Sequence, residues 1–160
     1  MTVSPDGKLK ALLRRRPALN QETEEAETYP GATQVTVHGG VESTDASPQA
    51  ALMRETTEEL GELAAVTIKK LITESPGSLI EVSQFQTGDK TVITYAIKLP
   101  WSLLTQLFNI EEMNLVTEAD LNKIADLRNF DKTTGVQDKS VIAMFGDEKE
   151  ALNKAFKLFS

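Results

Sequence analysis

Residues 40–61 read GVESTDASPQAALMRETTEELG, and this stretch decides the fold. It passes from a glycine through a short polar loop into a segment rich in carboxylates. Ser47 and Pro48 are typical of a helix start, because serine is a favoured N-cap and proline is tolerated at the first helical position. Gly61 suits the C-terminal cap, where glycine is common. The pattern therefore predicts a helix over residues 48–60.

The predicted helix has two chemically different sides. Four glutamates fall within one sector of an ideal helix: Glu55, Glu58, Glu59 and Glu62. The opposite sector carries the side chains that we expect to pack on a sheet: Ala50, Met53, Thr57 and Leu60. Like charges at these spacings cost about 0.2–0.5 kcal/mol per pair in an isolated helix. A divalent cation would relieve this repulsion, since Mg²⁺ prefers carboxylate oxygens, although a solvated acidic surface is the other interpretation.

The residues before this helix favour the first interpretation. Residues 34–38 alternate and are β-branched, which predicts a strand ending at Gly39 and Gly40. A glycine turn lets backbone approach a phosphate closely, and the helix that follows would bring metal ligands beside it.

The rest of the chain indicates one α/β domain over residues 1–160. Strands are predicted on either side of a Pro-Asp-Gly turn and in the middle of the chain: 2–3, 9–13, 66–73, 79–85 and 91–99. Two further helices are predicted, one over 117–127 with Thr117 as its cap and one amphipathic over 147–159.

Composition excludes several classes of protein. The chain has 160 residues, no cysteine and a formal net charge of −7. Disulfides, thiolate metal sites and cysteine nucleophiles are therefore absent, and the negative charge argues against a nucleic-acid polymer as partner. No stretch approaches the ~20 apolar residues of a membrane span, and residues 1–10 have no apolar signal core. We expect a cytoplasmic protein that acts without a membrane.

The ordered set of residues from 40 to 61 resembles the Nudix box. The family's pattern is a glycine, five residues, a glutamate, seven residues, and then Arg-Glu-hydrophobic-x-Glu-Glu-x-Gly-hydrophobic. The match is made by Gly40, the run Arg54-Glu55, the pair Glu58-Glu59 and Gly61. The resemblance implies an α/β/α sandwich in which a mixed central sheet lies between the first helix and the C-terminal helix.

The resemblance also implies a site and a chemistry. Glu58 and Glu59 would be the central ligands of Mg²⁺ or Mn²⁺, with Glu55 as a further ligand or as the base that activates water. Arg54 would orient Glu55 through an ion pair. The implied reaction is metal-assisted attack of water on a diphosphate linkage in a small nucleoside-diphosphate-like substrate, catalysed by a pyrophosphohydrolase.

The sequence departs from the family pattern at three positions. The first glutamate falls on Ala46, Thr56 replaces a hydrophobic residue, and Glu62 stands where an apolar residue is expected. Asp45 and Glu42 lie near Ala46 but out of register. A Nudix-fold module that binds a nucleotide or regulates, with weak or no hydrolysis, is therefore the alternative function.

Several residues outside the helix are candidates for contacts with substrate. His38, Gly39, Gly40 and Arg14 are predicted to contact phosphate, although a lone strand-end histidine is more often structural. The run 14–16 contains three arginines, which either reach the site or form a solvated charge run. Glu111 or Glu112 would supply an extra catalytic acid, or else belongs to a surface loop. The sequence leaves open which substrate is bound, how many metal ions are used and whether the protein forms a homodimer.

Overall fold

A computed structural model describes residues 1–37 and 39–160. The chain divides into two compact units. The first comprises Met1–Val35 and Pro100–Ser160, and the second comprises Thr36–Leu99. We call them the outer and the central unit after their positions along the sequence.

The regular elements follow one another in this order. The strands are β1 Thr2–Val3, β2 Leu9–Arg15, β3 Thr33–Gln34, β4 Leu79–Thr87, β5 Lys90–Ile97, β6 Met113–Thr117, β7 Ala125–Asp126 and β8 Ala143–Met144. The α-helices are α1 Pro48–Leu60, α2 Glu62–Glu74, α3 Trp101–Leu107 and α4 Gly146–Phe159. Short 3₁₀ turns cover Pro76–Ser78, Ile110–Glu112, Glu118–Lys123 and Leu127–Asn129.

Strand β2 organises the sheet of the outer unit. Its first residues pair with β1 through the predicted Pro-Asp-Gly turn, and its last residues pair with β3. Strand β6 runs antiparallel along it, from Lys10 opposite Thr117 to Arg14 opposite Met113. A separate parallel pair joins β7 to β8. The predicted strands at 2–3 and 9–13 are confirmed, the second being two residues longer.

Helix α4 covers this sheet with its apolar side. Leu152 and Phe156 belong to one buried cluster with Leu13 of β2 and Val116 of β6. Phe156 and Val116 are 1% and 0% exposed, so burial of these side chains stabilises the helix on the sheet. The predicted amphipathic helix over 147–159 is confirmed.

The central unit is built from two consecutive helices and a hairpin. Helices α1 and α2 are separated only by Gly61, which has φ 87°. Strands β4 and β5 pair antiparallel around the predicted turn at Gly88 and Asp89, with a register shift between Glu81 and Ser83. The predicted strands at 79–85 and 91–99 are confirmed with different ends, since the first extends to Thr87 and the second covers Lys90–Ile97.

The strand predicted over residues 66–73 is wrong, because these residues lie in helix α2. The β-branched side chains there favoured a strand, but burial follows a helical spacing through Ala64, Ala65 and Ile68. Thr67 and Thr73 fit the helix by donating their hydroxyls to the carbonyl oxygens four residues earlier, at 2.7 and 2.9 Å. Tertiary packing has overridden a strand propensity that depends strongly on context.

Two other predicted elements are shorter than expected. Only Thr33–Gln34 of the strand region pairs with β2, while Thr36 and Val37 form a bend and His38 lies outside the described residues. The helix predicted over 117–127 is a 3₁₀ turn, because Ala125–Asp126 leaves it to pair with β8. Its predicted start is confirmed, since Asp120 Oδ2 accepts the Thr117 backbone N–H at 3.0 Å.

The α/β class is confirmed by this mixture of helices with antiparallel and parallel strand pairs. A single domain over residues 1–160 stays a prediction. Among the described residues, no helix combines the length and the apolar character needed to cross a bilayer.

Candidate functional site

Helix α1 begins and ends at the residues predicted from the sequence. Ser47 caps it, with its hydroxyl oxygen accepting the Ala50 backbone N–H at 3.1 Å. Gly61 ends it, and the Gly61 N–H donates to the carbonyl oxygen of Thr57. These caps set the helix register and therefore the direction in which the glutamates project.

Arg54 lies at the centre of the carboxylate cluster. Its Nη1 donates to Glu55 Oε1 at 3.0 Å and to Glu58 Oε2 at 3.2 Å, and lies 3.7 Å from Glu42 Oε1. The other edge of the guanidinium faces Asp45, with Nε 3.2 Å from Oδ1 and Nη2 3.1 Å from Oδ2. The ion pair that we predicted between Arg54 and Glu55 is present.

The paired groups differ in their exposure to solvent. The Asp45 side chain is 7% exposed and that of Glu55 16%, whereas Glu58 is 49% and Glu42 63% exposed. Exposed ion pairs contribute about 0–1 kcal/mol, so the bidentate Arg54–Asp45 pair is the one that holds the cluster. Hydrogen bonds from Arg54, and then from the backbone of Glu42, lower the pKa of the Asp45 carboxyl below its ordinary value.

The cluster carries an excess of negative charge. One guanidinium faces four carboxylates, which leaves three negative charges uncompensated among these five side chains. Glu59 follows on the same helix and is half-buried. Partly desolvated carboxylates held this close attract cations more strongly than the same groups would in water.

The two glycines before the helix contact the cluster in different ways. The Gly40 carbonyl oxygen accepts from Arg54 Nη2 at 2.7 Å. The Glu55 carboxyl group lies against Gly39 so closely that a Cβ atom on this residue would overlap it. A Cβ on Gly40 would meet nothing within 4 Å. Gly39 therefore makes room for a carboxylate, and Gly40 anchors the arginine.

The donor set suits a hard divalent cation in its chemistry. Glu55 and Glu58 both present carboxylate oxygens to one nitrogen of Arg54, so a positive charge already occupies the point where they meet. Among the residues that the structure describes, no group of three or more aspartate, glutamate, histidine or cysteine side chains is arranged to hold a metal ion. The cation around which the carboxylate oxygens gather in this structure is therefore the Arg54 guanidinium.

The buried side of α1 differs from the prediction. Ala51 and Thr56 are its buried residues, whereas Thr57, which we expected to pack on a sheet, is exposed. Thr56 occupies the hydrophobic position of the family pattern and is 3% exposed, with its hydroxyl donating to the Leu52 carbonyl oxygen at 2.7 Å. The Thr56 hydroxyl is therefore hydrogen-bonded within the helix although the side chain is buried. The other residues expected on the packing side, Ala50, Met53 and Leu60, are half-buried.

The three candidate arginines of the run 14–16 lie in the outer unit. Arg15 Nη1 donates to the Gly31 carbonyl oxygen at 3.1 Å, and Arg16 Nε donates to Gln34 Oε1 at 3.0 Å. These two arginines therefore support their own unit. Arg14 pairs with Gln34 in the register of β2 and β3 and, like its neighbours, is partly buried.

Glu111 and Glu112 are both exposed in the 3₁₀ turn before β6. His38 is outside the described residues. The structure thus assembles Arg54, Glu55, Glu58, Gly39 and Gly40 within the central unit, and the roles of Arg14, His38 and the two later glutamates stay predictions.

Asp45 is the residue whose role the sequence did not reveal. The pattern places the first glutamate at position 46, so an aspartate one residue earlier counted as out of register. A signal was nevertheless present. Asp45 is the carboxylate nearest to that gap, and the loop before Ser47 is short enough to bring it to Arg54.

One of three comparisons with known proteins gave a match. The family model described as NUDIX domain matches residues 4–138. Neither the comparison with curated proteins nor that with solved structures gave a match. The matched segment contains both the caps of α1 and the whole carboxylate cluster, and it spans most of the chain. The chain therefore belongs to the NUDIX domain family.

Proposed function

We propose that this protein is a metal-dependent hydrolase that cleaves a diphosphate linkage in a nucleoside-diphosphate-like substrate. Membership of the family supports pyrophosphohydrolase chemistry in general and a small-molecule substrate. The observation that carries the proposal is the cluster around Arg54, in which three negative charges are left uncompensated. Such a cluster costs free energy until a cation binds it.

Glu55, Glu58 and Glu59 would hold Mg²⁺ or Mn²⁺. When bound, the metal would polarise phosphoryl oxygens and lower the pKa of the attacking water. Arg54 keeps the Glu55 carboxylate oriented by donating to its Oε1. Glu55 then acts either as a further ligand or as the base that removes the proton from water. Gly39 and Gly40 leave backbone accessible beside these carboxylates, where a phosphate would lie.

The candidate contacts outside helix α1 complete the proposal. Arg14 and His38 would bind the phosphates of the substrate, and Glu111 or Glu112 would supply a further acid. We also propose that the chain acts as one domain in the cytoplasm.

One observation favours a second function. Arg54 already neutralises part of the carboxylate charge, and no cluster of three metal-binding side chains occurs in the described part of the chain. A protein with this arrangement would bind a nucleotide or regulate without hydrolysing efficiently.

A substrate panel separates the two functions. Nucleoside triphosphates, ADP-ribose, NADH, dinucleoside polyphosphates and coenzyme A are each incubated with Mg²⁺, and the products are followed by ³¹P NMR. The proposal predicts cleavage of at least one diphosphate linkage, and its loss on chelation and in Glu59→Gln. Saturable binding of a member of the panel without cleavage would instead identify a binding module.

A further inference from the structure

Both oxygens of the Asp45 carboxylate accept hydrogen bonds. Oδ1 accepts from Arg54 Nε at 3.2 Å, and Oδ2 accepts from Arg54 Nη2 at 3.1 Å and from the Glu42 backbone N–H at 2.7 Å. With only 7% of its side chain exposed and both oxygens accepting hydrogen bonds, Asp45 offers little surface to a metal. Asp45 is therefore suited to hold another side chain in place, and not to act as a ligand.

The side chain that Asp45 holds is the rigid guanidinium of Arg54. A guanidinium is planar, so fixing the edge formed by Nε and Nη2 also fixes the direction of Nη1. That third nitrogen is the one that contacts Glu55 and Glu58. The position of Asp45 thus determines where Arg54 meets the carboxylates of α1.

The gap in the family pattern lies beside this pair. Ala46, at the position of the pattern's first glutamate, is exposed and has no acceptor in its side chain. We propose that Asp45 takes over at this gap as a positioning residue, which holds Arg54 and through it sets the metal-binding geometry of Glu55 and Glu58. This inference rests on the proposed function, because it assigns these glutamates to the metal.

Removal of the Asp45 charge has a defined consequence. The guanidinium would lose its most buried partner and would turn towards the carboxylates of Glu55 and Glu58. A fuller ion pair there neutralises the groups that attract a divalent cation. Metal affinity should therefore fall even though no ligand is changed.

The test compares Asp45→Asn, which keeps the shape, with Asp45→Glu, which keeps the charge. Asp89→Asn in the exposed turn between β4 and β5 makes the same charge change in a different element and is the matched control. Two readouts are taken without metal by NMR, the exchange rate of the Arg54 Nε–H and the carboxyl ¹³C shifts of Glu55 and Glu58. A third is Mn²⁺ affinity by electron paramagnetic resonance.

In Asp45→Asn, we expect about tenfold faster exchange, altered carboxyl shifts of both glutamates and about tenfold weaker Mn²⁺ binding, as is typical when a partner of a metal ligand is lost. Asp45→Glu should recover most of all three, and Asp89→Asn should change none. If Asp45→Asn does not fold, Arg54→Lys, which keeps the charge but cannot make the bidentate pair and has no Nε–H to follow, should give the same altered glutamate shifts and the same weaker Mn²⁺ binding.

Two results would overturn the inference. One is an Asp45→Asn protein with wild-type exchange and shifts. The other is faster exchange with unchanged glutamate shifts and unchanged Mn²⁺ affinity, which would limit Asp45 to tying down the loop. A wild-type protein that binds no Mn²⁺ would contradict the proposed function instead, while the metal-free readouts would still decide the role of Asp45.

Discussion

Adjacent glycines offer the sharpest contrast between two substitutions. A Cβ on Gly39 would overlap the Glu55 carboxyl group, whereas a Cβ on Gly40 meets nothing within 4 Å. We predict that Gly39→Ala displaces Glu55 and lowers Mg²⁺-dependent turnover by about tenfold or more, since misplacing a group by about 1 Å is this costly. Stability should change little, because the displaced group is the end of a flexible side chain.

Steady-state kinetics and urea unfolding check this prediction, with Gly40→Ala as the control. Equal turnover in the two variants would show that the close approach of Glu55 to Gly39 does not matter for the reaction.

Ala46 is the residue at which the family pattern is broken. Asp45 already holds Arg54, and the Ala46 side chain is exposed. A glutamate at position 46 would therefore not be needed to hold Arg54. We therefore expect Ala46→Glu to change Mn²⁺ affinity by less than about threefold, which corresponds to about 0.65 kcal/mol. A gain of tenfold or more in a titration would mean that the metal shell has a true gap at this position.

At the scale of elements, Gly61 decides where one helix ends and the next begins. Its φ of 87° lies in the region that other residues adopt only with strain, and a Cβ at this position would meet nothing within 4 Å. Gly61→Ala should therefore destabilise the protein by about 1–3 kcal/mol through backbone strain alone. Chemical denaturation measures the effect, with Gly77→Ala, where φ is not positive and the space is also open, as the control. Equal stabilities would contradict this account of the junction.

The elements also show what sequence could and could not predict. Helix α1 was predicted to the residue, because Ser47, Pro48 and Gly61 are local signals whose physics acts within one turn. Residues 66–73 of helix α2 were mistaken for a strand, because β-branched residues favour strands locally, whereas the burial of Ala64, Ala65 and Ile68 follows a helical spacing.

The candidate site shows the same difference between contacts that are local in the sequence and contacts that depend on the fold. The Arg54–Glu55 pair was implied by the family resemblance and joins adjacent residues of one helix, whereas the Asp45–Arg54 pair spans nine positions and depends on how the loop folds back. Pairing across a loop is not encoded in any periodicity, so the nearness of Asp45 to the gap in the pattern was the one signal in the sequence, and the structure supplies the contact itself.

At the scale of the whole molecule, we expect the stability of the fold to decrease at acid pH. Hydrogen bonding from the Thr117 hydroxyl lowers the pKa of Asp120 to about 2, and the Arg128 guanidinium lowers that of Asp126 to about 2. An unfolded aspartate titrates near about 3.9, so the unfolded chain takes up protons first. These groups stabilise the fold above about pH 4, and this stabilisation is lost as the pH falls towards about 2.

We predict that the free energy of unfolding falls steeply between about pH 4 and pH 2, and that Asp120→Asn/Asp126→Asn makes the curve shallower there. Urea unfolding at a series of pH values measures both slopes. Superimposable slopes for the wild type and the double variant would contradict the assignment.

The central claim is that the glutamates of α1 bind a divalent metal. Mn²⁺ titration followed by electron paramagnetic resonance tests it most directly, in the wild type and in Glu58→Gln/Glu59→Gln, with circular dichroism to check the fold. We predict saturable binding by the wild type and at least about tenfold weaker binding by the folded double variant. Equal Mn²⁺ affinity in the two proteins would contradict the claim.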